Sequence, residues 1–134
     1  MIYFLDTNIC IFHINGSAPK MSEKLENFPL ENIKIPVMVS AELLYGAEKS
    51  QRRDVNIQRY RDFISLFDIT AFDDIAAEHY ADIRATLEKS GSVIGGNDMI
   101  IAAIVRANNG ILVTNNTKEF SRIKGICLED WTTS

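Results

Sequence analysis

The feature that most constrains the fold is a regular alternation between short apolar segments and longer segments with helical periodicity. Short strands are expected at residues 1–5, 33–37, 68–72, 111–113 and 126–128. Helices are expected after residue 6 and at residues 18–28, 41–49, 53–67, 73–89, 98–107 and 118–123, with Ser40 capping the helix at 41–49. Strands that alternate with helices form a parallel sheet covered by helices. The sequence therefore predicts an α/β fold with a central, mainly parallel sheet of about five strands.

The length and composition are those of one globular domain spanning residues 1–134. The chain is 46% hydrophobic and 24% charged, and its longest apolar run is too short to cross a bilayer. Asp6 falls where the apolar region of a signal peptide would lie, so a cytoplasmic protein without a membrane partner is expected. Cys10 and Cys127 follow no metal-binding spacing and are expected to be two buried thiols.

The acidic balance of the chain argues against a nucleic-acid partner at first sight. The net charge is −4 and the pI is about 5.1, whereas phosphate binding favours basic surfaces. Carboxylates that surround a metal ion would account for part of this negative charge. Basic residues are also concentrated in one stretch, which on composition alone is a solvated helix face: Lys49, Arg52, Arg53, Arg59 and Arg61.

Several acidic and amide side chains stand beside apolar segments rather than on polar faces. Asp6 follows the first strand, Glu42 lies in an apolar stretch, and Asp98 begins the most apolar helix. Asn116 follows the fourth strand, with Glu119 three residues later. Taken singly, the aspartates could cap helices and Glu42 could pair with a lysine. If the first and fourth strands are neighbours, however, Asp6 and Asn116 converge at one edge of the sheet.

Clustered carboxylates of this kind suit a hard divalent cation. Carboxylates held close together repel one another unless a cation lies between them. Oxygen ligands without paired His or Cys favour Mg²⁺ or Mn²⁺ over Zn²⁺. Such an ion activates water and stabilises charge on phosphoryl oxygens, which is the chemistry of phosphodiester hydrolysis. The residues therefore predict a metal-dependent phosphodiesterase.

Four segments together resemble the signature motifs of PIN-domain ribonucleases, in the order found in that family. They are residues 4–8 (FLDTN), 40–47 (SAELLYGA), 94–98 (IGGND) with Ile101-Ala102-Ala103, and 112–116 (LVTNN) with Phe120. Within the family, the likeness is to the VapC toxins of VapBC toxin–antitoxin modules, and it covers nearly the whole chain. The resemblance implies a PIN-like three-layer α/β/α sandwich and an endoribonuclease that requires Mg²⁺, with Mn²⁺ as a substitute.

The resemblance also implies roles for particular residues. Asp6, Glu42 and Asp98 match the family's metal-binding acids, and Thr114 matches a hydroxyl beside the site. Asn116 departs from the pattern, since many members have Asp there, and this favours one bound metal ion over two. Glu119, one helical turn further along, is the candidate to supply the missing carboxylate.

The partners implied by the resemblance are an RNA substrate, a VapB-type antitoxin whose tail fills the active-site groove, and a second copy of the chain. A homodimer within a larger toxin–antitoxin complex is expected, with Phe12, Tyr60 and Phe63 as candidate anchors. The segment TNNTKEF at residues 114–120 resembles members that cut initiator tRNA in the anticodon loop and so inhibit translation.

Two other functions remain alternatives. One is a catalytically weak PIN-fold module that only binds RNA, which the acidic pI and Asn116 would favour. The other is a phosphatase with Asp6 as an aspartyl nucleophile. That chemistry usually needs a second Asp two positions later, where Asn8 stands, and a lysine after the later strand.

Overall fold

The sheet has five strands, all parallel, in the order β3-β2-β1-β4-β5. It is seen in a computed structural model that describes residues 1–133. The strands are β1 (Tyr3–Leu5), β2 (Ile33–Pro36), β3 (Asp68–Thr70), β4 (Ile111–Val113) and β5 (Cys127–Glu129). The first strand lies at the centre and the fourth lies directly beside it. The predicted α/β fold with a central parallel sheet is confirmed.

Helices flank this sheet, so the molecule is the α/β/α sandwich implied by the sequence motifs. They are α1 (Thr7–Asn15), α2 (Pro19–Glu26), α3 (Val37–Glu48), α4 (Arg53–Ile64), α5 (Asp74–Lys89), α6 (Gly96–Ala107) and α7 (Thr117–Phe120), with a 3₁₀ turn at Leu30–Asn32. The most extensive helix pairings are α5 with α6 and α3 with α4. Within residues 1–133, no helix is long and apolar enough to cross a membrane.

The core is densest around β1, β4 and α6. Phe4, Leu5, Leu112 and Val113 are almost completely buried, as is the run of residues 101–105 in α6. Burial of α6 on all sides matches its uniformly apolar sequence. The middle of the helix that carries Asp98 is therefore enclosed by the core, whereas its first residues are exposed.

The start of α3 differs from the prediction. Ser40 does not cap the helix, because α3 begins at Val37 and Pro36 occupies the cap position. The proline ring fixes φ at a value that suits the residue before a helix. Proline also has no N–H, so Pro36 cannot donate a hydrogen bond that would continue the strand pairing of β2. The Ser40 hydroxyl donates instead to the Val37 carbonyl at 2.7 Å, inside the first turn. This earlier start places Glu42 in the second turn of the helix.

Other boundaries shift by one to three residues. Pro19 begins α2 at the position where its missing N–H costs nothing. The helix α4 ends at Ile64, and Phe67, in the turn that follows, is buried.

Phe63 is also buried against the core, at 7% exposure, so it cannot anchor a partner as the sequence suggested. Cys10 is buried as expected, whereas Cys127 is exposed.

The turn from α6 into β4 requires glycine. A Cβ at Gly110 would lie 2.3 Å from the Phe4 ring and 3.2 Å from the Ile2 carbonyl oxygen. Any side chain there would push β4 away from β1. The absence of a side chain thus allows these two strands, and the residues that follow them, to lie side by side.

Candidate active site

The ends of β1 and β4 bring two buried polar side chains together. Leu5 and Val113, the last residues of the two strands, are in register. Asp6 follows Leu5 in the chain, and Thr114 follows Val113. The Asp6 N–H donates to the Val113 carbonyl at 3.0 Å, which closes the ladder. The Thr114 hydroxyl then donates to Asp6 Oδ2 at 2.7 Å. The two strand ends therefore meet as predicted, but the side chain that contacts Asp6 is Thr114 and not Asn116.

Asp6 also caps α1. Its Oδ1 accepts from the Thr7 N–H at 2.8 Å, so both carboxylate oxygens are hydrogen bonded. Burial raises the pKa of Asp6 above its ordinary value, and the Glu42 charge adds to the rise, while the bonds from Thr114 and Thr7 lower it. Desolvation is the largest of these effects. Asp6 therefore caps α1 and also belongs to the acidic cluster.

Glu42 is held from two sides. The Thr7 hydroxyl donates to Glu42 Oε1 at 2.6 Å, and the Asn97 amide donates to Glu42 Oε2 at 3.4 Å. These bonds connect α3 to the starts of α1 and α6. Glu42 pairs with no lysine among the described residues, so the ion-pair alternative is wrong.

Asp98 lies on the other side of the cluster and has no such partner. It is the third residue of α6, whose cap position is Gly95, and it accepts no side-chain hydrogen bond from residues 1–133. Burial is the largest cause that raises the pKa of Asp98 from 3.8 to about 6. The charges of Asp6, Glu42 and Glu119 raise it further. The four carboxylates therefore share one electrostatic site.

Asn116 and Glu119 extend the cluster from the end of β4. The Asn116 N–H donates to Thr114 Oγ1 at 3.0 Å, and the Asn116 amide donates to Glu119 Oε2 at 3.0 Å. A hydrogen-bond chain thus runs from Asn116 through Thr114 to Asp6. The charge of Glu119 is the smallest of the causes that raise the pKa of Asp98.

The donor set fits a hard cation in chemistry. Every charged group in the cluster is a carboxylate, which favours Mg²⁺ or Mn²⁺. Among residues 1–133, however, no three acidic, His or Cys side chains are already gathered around one point. Repulsion between the carboxylates explains this arrangement. Asp6 and Glu42 turn towards hydroxyl and amide donors, and Asp98, which has no donor among residues 1–133, has a raised pKa. A cation would remove the repulsion that keeps the carboxylates apart.

Two contributors were not singled out from the sequence. Thr7 follows Asp6 and Asn97 precedes Asp98, yet the side chains of both donate to Glu42, while the Thr7 backbone N–H donates to Asp6. The only indication in the sequence that these two residues belong to the site is that they lie inside the motifs. Which acid they would contact depended on how α1, α3 and α6 pack.

The basic stretch is partly neutralised. Arg53 makes ion pairs with Glu48 at 2.6 Å and Asp54 at 2.9 Å. Arg59 donates to the Ile14 carbonyl at 3.0 Å. This favours the solvated-face interpretation for Arg53, while Arg52 makes no ion pair among the described residues.

The histidines and the tryptophan serve structural contacts. His13 lies 2.8 Å from the Ser22 hydroxyl, and His79 lies 2.8 Å from Arg106 Nε. Trp131 is 4% exposed and stacks on Phe28 with ring centroids 4.9 Å apart. All three side chains therefore make contacts within the fold.

A parallel α/β/α sandwich with carboxylates at the carboxyl edge of its central strands is the architecture of a PIN domain. The sequence matches the PIN domain family over residues 3–126. The chain is 42% identical to Ribonuclease VapC2 of Rickettsia felis, with 98% of each chain covered. It is 40% identical to the tRNA(fMet)-specific endonuclease VapC of Shigella flexneri, covering 96% of this chain and 97% of that protein.

Solved structures agree with these sequence likenesses. The crystal structure of VapBC2 from Rickettsia felis, bound to a DNA fragment from its promoter, aligns with a TM-score of 0.89 at 40% identity over 98% of this chain and 99% of that chain. DNA-bound VapBC from Salmonella typhimurium aligns with a TM-score of 0.92 at 37% identity, covering 98% of both. The chain therefore belongs to the VapC group of PIN-domain ribonucleases.

Proposed function

We propose that this chain is a Mg²⁺-dependent endoribonuclease and the toxin of a VapBC toxin–antitoxin module, with Mn²⁺ able to replace Mg²⁺. The observation that carries the proposal is Asp98, a half-buried carboxylate that faces three other carboxylates and has no hydrogen-bond donor of its own in the described chain. Membership of the VapC group supports the nuclease activity. The metal requirement rests on the site.

Each residue of the cluster has a part in this function. Asp6, Glu42 and Asp98 would hold the ion, which when bound supplies Lewis-acid chemistry for activating water and neutralising charge on the phosphate. Thr114 keeps Asp6 in place, and Thr7 does the same for Glu42. Asn116 and Glu119 are hydrogen bonded to each other beside the metal ligands. They are placed to orient a water molecule or the RNA.

The proposed substrate is tRNA, with the anticodon loop of initiator tRNA as the cleavage site and inhibition of translation as the result. Relatives from Shigella flexneri and Salmonella typhimurium, 40% and 38% identical to this chain, are named tRNA(fMet)-specific endonucleases. The segment at residues 114–120 shares the motif pattern that suggested this substrate. Asn116 and Glu119 within it belong to the site.

The proposed protein partners are a VapB-type antitoxin and a second copy of the chain. The aligned structures from Rickettsia felis and Salmonella typhimurium are VapBC complexes. A cleft of about 650 Å³, lined by Phe12, Ala18 and Met21 among others, offers an apolar surface on this chain. Phe12 and Tyr60, which are partly buried, remain the candidate anchors.

The test compares cleavage of initiator tRNA and an elongator tRNA by the purified chain with Mg²⁺, with Mn²⁺ and with EDTA. We expect a single cut in the initiator anticodon loop that requires either cation, and loss of cutting when a VapB-type antitoxin is added. Cleavage undiminished by EDTA would overturn the metal requirement. RNA binding without any cleavage would favour the catalytically weak binding module.

A further inference from the structure

A cleft adjoins the acidic cluster on the side formed by α1 and α3. Its walls include Thr7, Glu42 and Asn97, the three side chains that hydrogen bonds connect within the cluster. The cleft measures about 530 Å³, within the range of sites that hold small ligands. Because the cleft and the cluster share these residues, a group bound in the cleft would lie beside any phosphate held at the carboxylates.

The remaining walls combine an apolar floor with an aromatic ring at the rim. Ile11 and Met38 are partly buried and pack against the core. Tyr45 is 64% exposed, which leaves its ring available to a ligand. Lys49 Nζ lies 4.8 Å from the centroid of that ring, so a positive charge stands at the same rim.

An unpaired nucleotide matches these features. A base presents flat faces that stack on aromatic side chains, and this is how proteins commonly hold single-stranded RNA. The phosphate attached to it is complementary to the charge of Lys49. We propose that the cleft binds the base adjacent to the cleaved phosphate, with Tyr45 as the stacking platform and Lys49 against the flanking phosphate. This subsite rests on the ribonuclease function proposed above.

Gly46 gives the cleft part of its room. It lies in the middle of α3, where glycine is less favourable than alanine. A Cβ added there would have no atom within 4 Å, so close packing does not account for the glycine. A Cβ is therefore accommodated at this position without a clash. The longer side chain of Gly46→Leu is expected to reduce the room in the cleft, of which Gly46 is a lining residue.

The first experiment measures cleavage of an anticodon stem-loop RNA of initiator tRNA with Mg²⁺. Tyr45→Ala and Gly46→Leu are expected to raise KM by about tenfold and leave kcat within about twofold, because a stacking contact is lost before the chemical step. Tyr45→Phe keeps the ring and is expected to behave as the native chain. Ile75→Ala, which truncates another exposed apolar side chain outside the cleft, is the matched control.

The second arm removes the base instead of the ring. Stem-loops with one abasic nucleotide at each loop position are cleaved by the native chain and by Tyr45→Ala. At one position the two losses should not add, since both remove the same contact. Additive losses at every position, or an unchanged KM in Tyr45→Ala, would overturn the proposal. So would a Tyr45→Ala chain that cuts RNA normally and escapes inhibition by the antitoxin, because the cleft would then bind protein.

A binding measurement separates this inference from the proposed activity. The base analogue 2-aminopurine is placed at each loop position, and its fluorescence is followed as the chain is added without a divalent cation. Quenching by the native chain and Tyr45→Phe, but not by Tyr45→Ala, supports the subsite even if no RNA is cut. Equal signals from all three chains at every position would overturn it, whatever the cleavage result.

Discussion

The acidic edge has two halves built from similar side chains that are stabilised in opposite ways. In the inner half, Asp6 is 5% exposed and accepts hydrogen bonds on both oxygens, from Thr114 and the Thr7 backbone. In the outer half, Asp98 is half-buried, accepts no side-chain bond among residues 1–133 and faces Glu119. The inner half is fully hydrogen bonded, whereas no donor among residues 1–133 offsets the charge of the outer half.

This difference follows from where each carboxylate stands in the fold. Asp6 follows a strand and begins a helix, so neighbouring backbone and the next strand supply donors. Asp98 lies within the first turn of α6, and no donor among residues 1–133 bonds to its carboxylate. A carboxylate at a strand end is oriented by donors from the chain around it. A carboxylate at a helix start beside other acids has a negative charge that nothing nearby offsets.

The largest expected effect comes from removing the outer charge. Asp98→Asn should reduce RNA cleavage by about a thousandfold or more, since metal binding contributes several kcal/mol to stabilising the transition state. Without metal, the same variant should melt at a temperature no lower than the native chain, because repulsion is relieved. Asp54→Asn, whose side chain is 93% exposed, is the control for both measurements. Native rates in Asp98→Asn would remove this residue from the site.

The inner half should respond in the opposite way to loss of its hydroxyl. Thr114→Val keeps the side-chain shape, but it removes the donor to Asp6 and the acceptor for the Asn116 N–H. We expect the free energy of unfolding to fall by about 2 kcal/mol and cleavage to fall by about ten- to a hundredfold. Urea denaturation and initial rates give the two values. Thr114→Ser keeps the hydroxyl and should recover most of both losses.

The outer half should also make the metal-free protein less stable as pH rises. Asp98 has a pKa of about 6 when folded and an ordinary value of 3.8, so between these values the unfolded chain releases its proton first. The contribution of Asp98 to the free energy of unfolding is therefore fully present below pH 3.8 and is lost as the pH rises to about 6. The full difference corresponds to about 3 kcal/mol, and partial exposure of the side chain reduces the expected change to about 1–2 kcal/mol.

Denaturation of the native chain and Asp98→Asn across this pH range isolates the effect. The difference in unfolding free energy between the two chains should change between about pH 4 and about pH 6, while shifts elsewhere in the molecule cancel. The groups that face Asp98 are Asp6, Glu42 and Glu119, and all three act to raise its pKa. A constant difference would show that Asp98 is well solvated.

The smallest expected effect concerns Asn116 and Glu119 in the outer half. Asn116→Asp adds a charge but loses the bond to Glu119, so Mn²⁺ affinity should rise by less than about tenfold. Glu119→Gln should lower activity more in the native background than in the Asn116→Asp background, because the two positions share one ion. Calorimetric titration of Mn²⁺ into the native chain, the two single variants and the double variant measures the coupling. Strictly additive values would make Glu119 an ordinary surface residue.

The sequence was sufficient to predict the fold, but not the contacts between the candidate site residues. The strands followed from apolar segments that end in polar turns, and the convergence at Asp6 depended on β1 lying next to β4. The start of α3 differs from the predicted one because Pro36, and not the common cap residue Ser40, precedes the first helical residue. The burial of Phe63 could not be read from helical periodicity alone, since that depends on which face of α4 meets the core.

The hydrogen bond between Asp6 and Thr114 joins residues 108 positions apart in the chain. Contacts of such high sequence separation form late in folding. During synthesis on the ribosome, β1 and β2 emerge early, but the partner of Asp6 is added only when most of the chain has been made. A nascent chain that ends before β4 therefore has Asp6 without Thr114, Asn116 or Glu119. The candidate site is therefore complete only when most of the chain has been synthesised.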